Sequence, residues 1–531
     1  MTMSSSSRSN GRNRRLICLS SPHQTSLPVR ERRHYALPGM KVKPEHVYQW
    51  RRVSPGTTVT PPTPPLYCAA MTPAAIGLVV VGGMAIGAAL AWRQKWGWRG
   101  LLAVRRQFPA RIDRYHHVGK ARIRAALLAD PEVAAAVAAH VAATGETSDA
   151  AWIRVKTYLD EIIPSFNLLA YYRLGYRVAR VLLPLLYKVS IGYEARDALN
   201  AIPRDAVVVY LMNHRSNADY VLVAYVLSGR VAVSYAVGEW ARVWPLETLF
   251  KSFGSYFVRR RYKEALYHKV LERYVQLITR NGVTQGVFIE GGLSRDGAFR
   301  PPKLGLLDYL AGVKRDKGFR RPLYLVPVAI NYDRVLEDRS LLRELMSPEE
   351  RLPRGEQVAE VTSYVVKVCA RFLLRRARRY GRACVNFAAP ISLDDWLARN
   401  PGLLERPREE RLARLSGLAD EVMGSIAGAM PVTAVALACA ALLQDDRPTV
   451  SRADWEARLA DLQRALRGAG AHLVGGERSS AEILDRALVM LTLRHVVVAE
   501  GHGFSVDRTQ TLLLRYYANS IAHFLPAARP A

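Results

Sequence analysis

Residues 206–220 read Ala-Val-Val-Val-Tyr-Leu-Met-Asn-His-Arg-Ser-Asn-Ala-Asp-Tyr. A continuous apolar run from Ala206 to Met212 ends abruptly in polar residues. Such a run is the pattern of a strand buried on both faces, as in a parallel sheet. The segment from Tyr220 to Leu227 is apolar again and suits a buried helix. His214 then stands at the carboxyl end of a strand and Asp219 in the first turn of the helix after it. Open α/β sheets bind ligands in crevices at the carboxyl ends of their strands.

The spacing of these two residues carries a mechanism. On one ideal helix, residues five apart point about 140° away from each other. His214 must therefore precede the helix for its ring to meet the Asp219 carboxylate. That contact fixes the tautomer, leaves the other ring nitrogen as a base and stabilises the imidazolium. A His-Asp pair with no nucleophile of its own suits deprotonation of a substrate hydroxyl. Ser216 is the rival nucleophile, but a serine here equally suits a helix cap.

Working outward, the stretch from Asp205 to about Asp394 alternates apolar strands with helical segments. Val231–Val237, Gly286–Ile289, Leu323–Ile330 and Ala383–Phe387 read as further strands, and the alternation argues an α/β layered fold. Three more stations carry chemistry. Phe253 to Arg261 is an apolar lead-in closed by three arginines, among them Arg259 and Arg260, whose forks match phosphate oxygens. A strand ends in Glu290, then Gly291 and Gly292 allow close backbone approach, and Ser294 and Arg295 follow as donors; glycines beside exposed amides form anion cradles. In Val326-Pro-Val-Ala-Ile-Asn-Tyr-Asp-Arg, Pro327 within an apolar run marks an edge, a bulge or a tuned wall.

The chain has 531 residues and a net charge of +30 from 76 Lys+Arg against 46 Asp+Glu. That balance favours anionic partners: phosphorylated metabolites, an acidic membrane surface or nucleic acid. The arginines are dispersed and no aromatic-basic binding motif appears, so no nucleic acid is expected. The five cysteines are scattered without C-x-x-C or metal-ligand spacing. Neither a disulfide framework nor a zinc site is expected, which fits a reducing compartment.

Residues 1–70 are Ser-, Arg- and Pro-rich and read as a disordered basic arm. Met71 is a credible alternative start. Ala74 to Trp92 is an uncharged apolar stretch long enough to span a bilayer. Trp92, Trp96 and Trp98 close it, and Arg93, Lys95 and Arg99 lie within or beyond that aromatic belt. This points to a transmembrane anchor over 71–98, with the rest of the chain facing the cytoplasm from the cell inner membrane. Residues 99–204 read as a helical, membrane-associated region, Ala103–Ala143 as helix and Leu168–Tyr187 as amphipathic. Residues 205–395 form the α/β domain. From Trp396 strands disappear and 396–531 reads as a separate helical region, with helices over Arg406–Met430, Trp455–Leu466, Ala481–Leu493 and Thr511–Phe524.

In this order the four stations resemble the four motif blocks of the glycerolipid acyltransferases. Asn-His-Arg-Ser-Asn-Ala-Asp-Tyr is similar to the catalytic H-x-x-x-x-D block, Gly254–Arg260 to the second, Phe288-Ile-Glu-Gly-Gly-Leu-Ser-Arg to the third and Val326-Pro-Val to the fourth. The glycerol-3-phosphate 1-O-acyltransferases resemble it most. They share His-Arg-Ser followed by Asp-Tyr, Glu-Gly-Gly, and a C-terminal stretch like Leu514-Arg-Tyr-Tyr-Ala-Asn-Ser-Ile-Ala-His-Phe. The likeness covers roughly Ala206 to the C-terminus.

The resemblance implies an α/β, glycerolipid-acyltransferase-like sheet flanked by helices. It implies transfer of a fatty acyl group from acyl-CoA or acyl-carrier protein to the sn-1 hydroxyl of glycerol 3-phosphate. His214 would be the base and Asp219 its orienter. Arg259, Arg260, Glu290, Gly291, Gly292, Ser294 and Arg295 would bind substrate, with no metal, no cofactor and no covalent acyl-enzyme. Anionic membrane lipids are expected partners. Two departures bear on the acceptor: Asn217 replaces a frequent second His, and Leu293 replaces a usual Arg. With Asn213, they keep lysophosphatidate or dihydroxyacetone phosphate open as acceptors. A non-catalytic membrane scaffold is the reading from another class.

Overall fold

The computed structural model describes residues 120–164, 180, 183–227, 233–238, 251, 255–259, 262, 264–346, 380–501 and 503–525. The basic arm, the anchor expected over 71–98, most of 168–187 and Arg260 lie outside them. Among the described residues no single helix is long and apolar enough to cross a membrane. One pair, α1 (Lys120–Leu128) and α2 (Pro131–Thr144), meets the length and composition jointly across a 58° bend. The sequence pattern ran helical through this bend. Asp130 interrupts it by accepting from the Glu132 and Val133 amides, and Pro131 suits the first position of a new helix.

Eight strands form the main sheet: β1 (Lys188–Tyr193), β2 (Val207–Met212), β3 (Ser234–Gly238), β4 (Tyr256–Val258), β5 (Gln285–Phe288), β6 (Leu323–Tyr332), β7 (Arg382–Phe387) and β8 (Ile391–Ser392). Their order is β1-β7-β6-β2-β5-β3-β4, with β8 beside β6. β2 lies between β5 and β6 and runs parallel to both. Only β7 and β8 run antiparallel to β6. The central position explains the unbroken apolar run at 206–212, because both faces of β2 are covered. Val207, Val209 and Leu211 point into one core; Val208 and Met212 point into the other.

Each core has its own cover. On one side lie α2, α3 (Ser148–Ile162), α6 (Ala265–Arg280), α7 (Gly305–Gly312) and α10 (Arg408–Gly428). The second core contains α5 (Asp219–Leu227) together with most of the chain after Pro431. Between these come α4 (Arg196–Asn200), α8 (Asp338–Met346) and α9 (Leu393–Ala398).

Three expectations need correction. Strands do not end at Trp396: β9 (Pro431–Val432) pairs with β11 (His472–Leu473), and β10 (Thr449–Ser451), β12 (Val497–Glu500) and β13 (Gly503–Val506) form a small antiparallel sheet. Runs this short carry too few residues for alternation to register. Nor is 396–531 a separate body. Helices α11 (Ala434–Leu442), α12 (Arg452–Gly468), α13 (Ser480–Leu493) and α14 (Thr511–Asn519) share the core of β2 and β6. Finally, Pro327 marks neither a sheet edge nor a bulge. β6 is central, and Pro327 sits where its neighbour changes from β8 (opposite Tyr324 and Leu325) to β7 (from Val328). Its carbonyl accepts from Ala388 in the gap, so its missing N–H falls where no ladder bond is required.

Candidate active site

β2 ends at Met212, and the next residues turn sharply before α5. Asn213 is the first anchor of that turn. Its side chain donates to the Ile330 carbonyl at 2.9 Å and accepts from the Ile330 amide at 2.7 Å. This fastens the turn to β6 and gives Asn213 a backbone-holding task. Its presence therefore says little about the acceptor.

His214 follows, 1% exposed, with Asp219 at 0%. His214 Nδ1 lies 2.9 Å from Asp219 Oδ2. Because a carboxylate only accepts, Nδ1 carries the hydrogen, and Nε2 is the basic nitrogen of the neutral ring. The same Oδ2 accepts from the amides of Arg215 at 2.7 Å and Ser216 at 3.0 Å, while Oδ1 accepts from the Tyr332 hydroxyl at 2.6 Å. Asp219 thus receives four hydrogen bonds, about what a carboxylate holds. The imidazole stacks on Phe288 with centroids 3.9 Å apart and meets Tyr220 edge-on at 5.5 Å. Ring tilt and tautomer are both fixed before any substrate arrives. Burial, then the Asp219 charge, holds the Tyr332 hydroxyl far above its ordinary range, so it stays a donor.

Ser216 serves the turn. Its Oγ accepts from the Ala218 amide and donates to Glu337 at 2.7 Å. Glu337 also accepts from the Asn217 amide at 2.9 Å. Burial pushes the Glu337 carboxyl up to about 7, against the pull of the Ser216 and Asn217 hydrogen bonds. The Asn217 position therefore contributes its backbone to a carboxylate that braces the start of α5.

Glu290 lies just beyond β5. Its two oxygens accept from the His214 amide at 2.9 Å and the Arg300 amide at 3.0 Å. It pins the 213–218 turn to the 291–300 loop from a buried position. Burial raises its carboxyl above the usual range, opposed by the Arg215 charge and by those two amides. Gly291 has φ +67, and a Cβ there would sit 2.7 Å from Lys303 Cγ. Gly292 is buried in the same loop. Ser294 closes the loop on itself, its Oγ donating to the Ala298 carbonyl at 2.7 Å, while its amide donates to the His214 carbonyl.

The basic candidates are placed differently. Arg259, at the end of β4, pairs with Glu161 of α3 and lies over the Tyr262 ring at 4.9 Å. Arg295 pairs with Glu344 of α8 at 3.0 Å. The structure brings His214, Asp219, Glu290 and Ser294 into one bonded cluster. It places Arg259 and Arg295 in ion pairs with carboxylates of neighbouring helices.

Sequence reasoning missed Arg215, Tyr332, Glu337 and Tyr516 as parts of this region. Arg215 was visible as an arginine inside a motif whose neighbours are buried. The others come from 113 to roughly 300 positions away, and no local pattern announces them.

Residues 197–331 match the family described as Acyltransferase, and residues 365–528 match the one described as Glycerol-3-phosphate acyltransferase C-terminal region. The dyad of β2 and α5 lies inside the first match, and α14 inside the second. Across these two segments the chain is similar to glycerol-3-phosphate acyltransferases. Curated proteins named glycerol-3-phosphate acyltransferase are similar to it. The Aeromonas hydrophila protein is 30% identical over 70% of this chain and 46% of its own length. The Pasteurella multocida protein is 28% identical over 75% of this chain and 49% of its own length. The chain spans about half the length of the curated relatives it matches. A solved structure of a 1-acyl-sn-glycerophosphate acyltransferase from Thermotoga maritima is similar at 17% identity and a TM-score of 0.27, over 48% of this chain and 77% of that one.

Proposed function

We propose that this protein is an enzyme that moves a fatty acyl group from acyl-CoA or acyl-carrier protein to the sn-1 hydroxyl of glycerol 3-phosphate, giving lysophosphatidate for phospholipid synthesis. The observation that carries the reading is the buried His214–Asp219 pair, whose carboxylate is saturated by four donors.

The proton path is short. His214 Nε2 takes the proton of the acceptor hydroxyl as its oxygen attacks the thioester carbonyl. Asp219 stabilises the imidazolium that forms. Collapse of the tetrahedral adduct forms the ester, breaks the C–S bond and expels the thiolate, which receives the proton from His214. The step needs neither a metal nor a covalent acyl-enzyme. Relatives bearing the name glycerol-3-phosphate acyltransferase support the acceptor, and the +30 charge suits substrates that carry phosphate.

The same reading places the protein at the cytoplasmic face of the cell inner membrane, held by the apolar segment within 71–98 and drawn to anionic lipids.

The test offers glycerol 3-phosphate, dihydroxyacetone phosphate and lysophosphatidate separately to membranes carrying the protein, with radiolabelled palmitoyl-CoA and then palmitoyl-carrier protein. Label on glycerol 3-phosphate is the expected result. Label on lysophosphatidate alone would move the assignment one acylation later, and label on none with either donor would remove the enzymatic reading.

A further inference from the structure

Next to the saturated dyad lies a cationic side chain whose donors are not met. Arg215 is 2% exposed. Its Nη1 donates to the Gly297 carbonyl, yet its Nε and Nη2 are buried without a hydrogen-bond partner. A guanidinium keeps its charge at any working pH. Burying such donors without acceptors is strongly unfavourable. Nε and Nη2 also form one edge of the fork, the geometry that takes two oxygens of a phosphate.

A second unmet group stands nearby, supplied by the far end of the chain. Tyr516 of α14 is 2% exposed, and its hydroxyl has no partner either. Gly297 joins the two. Its carbonyl receives Arg215, and a Cβ built on it would fall 1.8 Å from the Tyr516 carbonyl oxygen. With φ +82, this position favours glycine twice over. Asn519, one turn further along α14, donates to the Asp296 carbonyl at 2.9 Å. Phe299 lies under Arg215 at 5.7 Å and against His523 at 5.0 Å. The charge of Arg215 is felt by the Tyr516 hydroxyl, by Glu290 and by His523. Glu290 offsets that charge, but both its oxygens are occupied by backbone amides.

We propose that Arg215 and Tyr516 form an anion subsite beside the dyad that takes a phosphate group, so that the C-terminal helix completes the active site. The inference rests on the acyltransferase reading above for the identity of the phosphate. Two sources share the chemistry: the phosphate of the acceptor and a phosphate of the thioester carrier. Arg259 and Arg295 already hold carboxylates, whereas the Arg215 edge holds nothing.

The experiment uses the full chain in detergent or vesicles, as wild type, Arg215→Lys and Tyr516→Phe. Binding is read as the rise in unfolding temperature on adding inorganic phosphate. Turnover is read as separate KM values for glycerol 3-phosphate, for palmitoyl-CoA and for palmitoyl-N-acetylcysteamine, a thioester without phosphate. We expect the phosphate-induced rise to disappear in Arg215→Lys and to shrink in Tyr516→Phe. If the acceptor phosphate is the ligand, the KM for glycerol 3-phosphate rises about 10- to 100-fold in Arg215→Lys and about fivefold in Tyr516→Phe, with both thioester KM values unchanged. A rise confined to palmitoyl-CoA assigns the subsite to the donor. Tyr516→Phe keeps the test alive should Arg215→Lys fold poorly. A phosphate response and KM values within twofold of wild type in the variants would overturn the proposal. Should the wild type transfer no acyl group, the functional reading falls, while loss of the phosphate response in the variants would still support the subsite.

Discussion

The catalytic turn and the wall beside it are adjacent in sequence and opposite in character. At Asp219 both oxygens are engaged: imidazole and two amides meet Oδ2, and the Tyr332 hydroxyl meets Oδ1. At Arg215, one residue past the histidine, only one guanidinium nitrogen has a partner, and the hydroxyl of Tyr516, which feels its charge, is also unmet. The first region is finished within the fold. The second is completed by a ligand. On the function proposed above, the base is organised in advance, whereas donors for a charged substrate are left open.

The largest effect is expected at the dyad. Asp219→Asn removes the charge that supports the imidazolium and sets the amide group against donors it cannot accept. We expect kcat to fall by about 10³-fold or more, read by initial rates at saturating substrates. A fall below tenfold would show that His214 needs no orienter. Glu290→Gln tests the pin between the turn and the 291–300 loop. One of its two amide partners would meet an NH2 group, and a loss of about 2–3 kcal/mol in unfolding free energy is expected. Denaturant titration checks it, with activity falling alongside. Tyr332→Phe is milder. It strips one hydrogen bond from Asp219 Oδ1, and we expect about a tenfold loss in kcat with about 1 kcal/mol of stability.

A further effect, on stability alone, concerns pH. Glu337 holds a carboxyl raised from 4.5 to about 7 in the folded chain. The folded state therefore binds the proton more tightly than the unfolded state does. The stability this group contributes is complete below about pH 4.5 and is lost as pH rises through about 7. Glu337→Gln removes that dependence. Relative to wild type, its unfolding free energy should gain on the order of 1–2 kcal/mol between pH 5 and pH 8. Parallel stability curves for the two proteins would contradict the assignment.

Much of this was written locally in the chain. The run from Ala206 to Met212, the polar break after it and the five-residue step from His214 to Asp219 identified a central strand, a turn and a dyad. β5 and β7 were legible for the same reason: apolar runs buried on both faces need no knowledge of their neighbours. What stayed hidden depends on distant partners. Tyr332 reaches Asp219 across 113 positions, and Tyr517 of α14 bonds Asp338 at 2.5 Å across 179. Only the folded sheet brings α14 against the catalytic loop. The carboxylate partners of the arginines stayed hidden for a related reason. Arg259 looks like a phosphate ligand in sequence, but nothing nearby in the chain reveals Glu161, 98 positions earlier.

The central claim is that His214 is the base of a preorganised pair. It is tested most directly by comparing wild type and His214→Ala in acyl transfer to glycerol 3-phosphate, with both unfolding temperatures measured beside the rates. We expect a loss of about 10³-fold or more in kcat with the fold retained and the KM for the thioester little changed. A folded His214→Ala protein that transfers acyl groups within tenfold of wild type would contradict it.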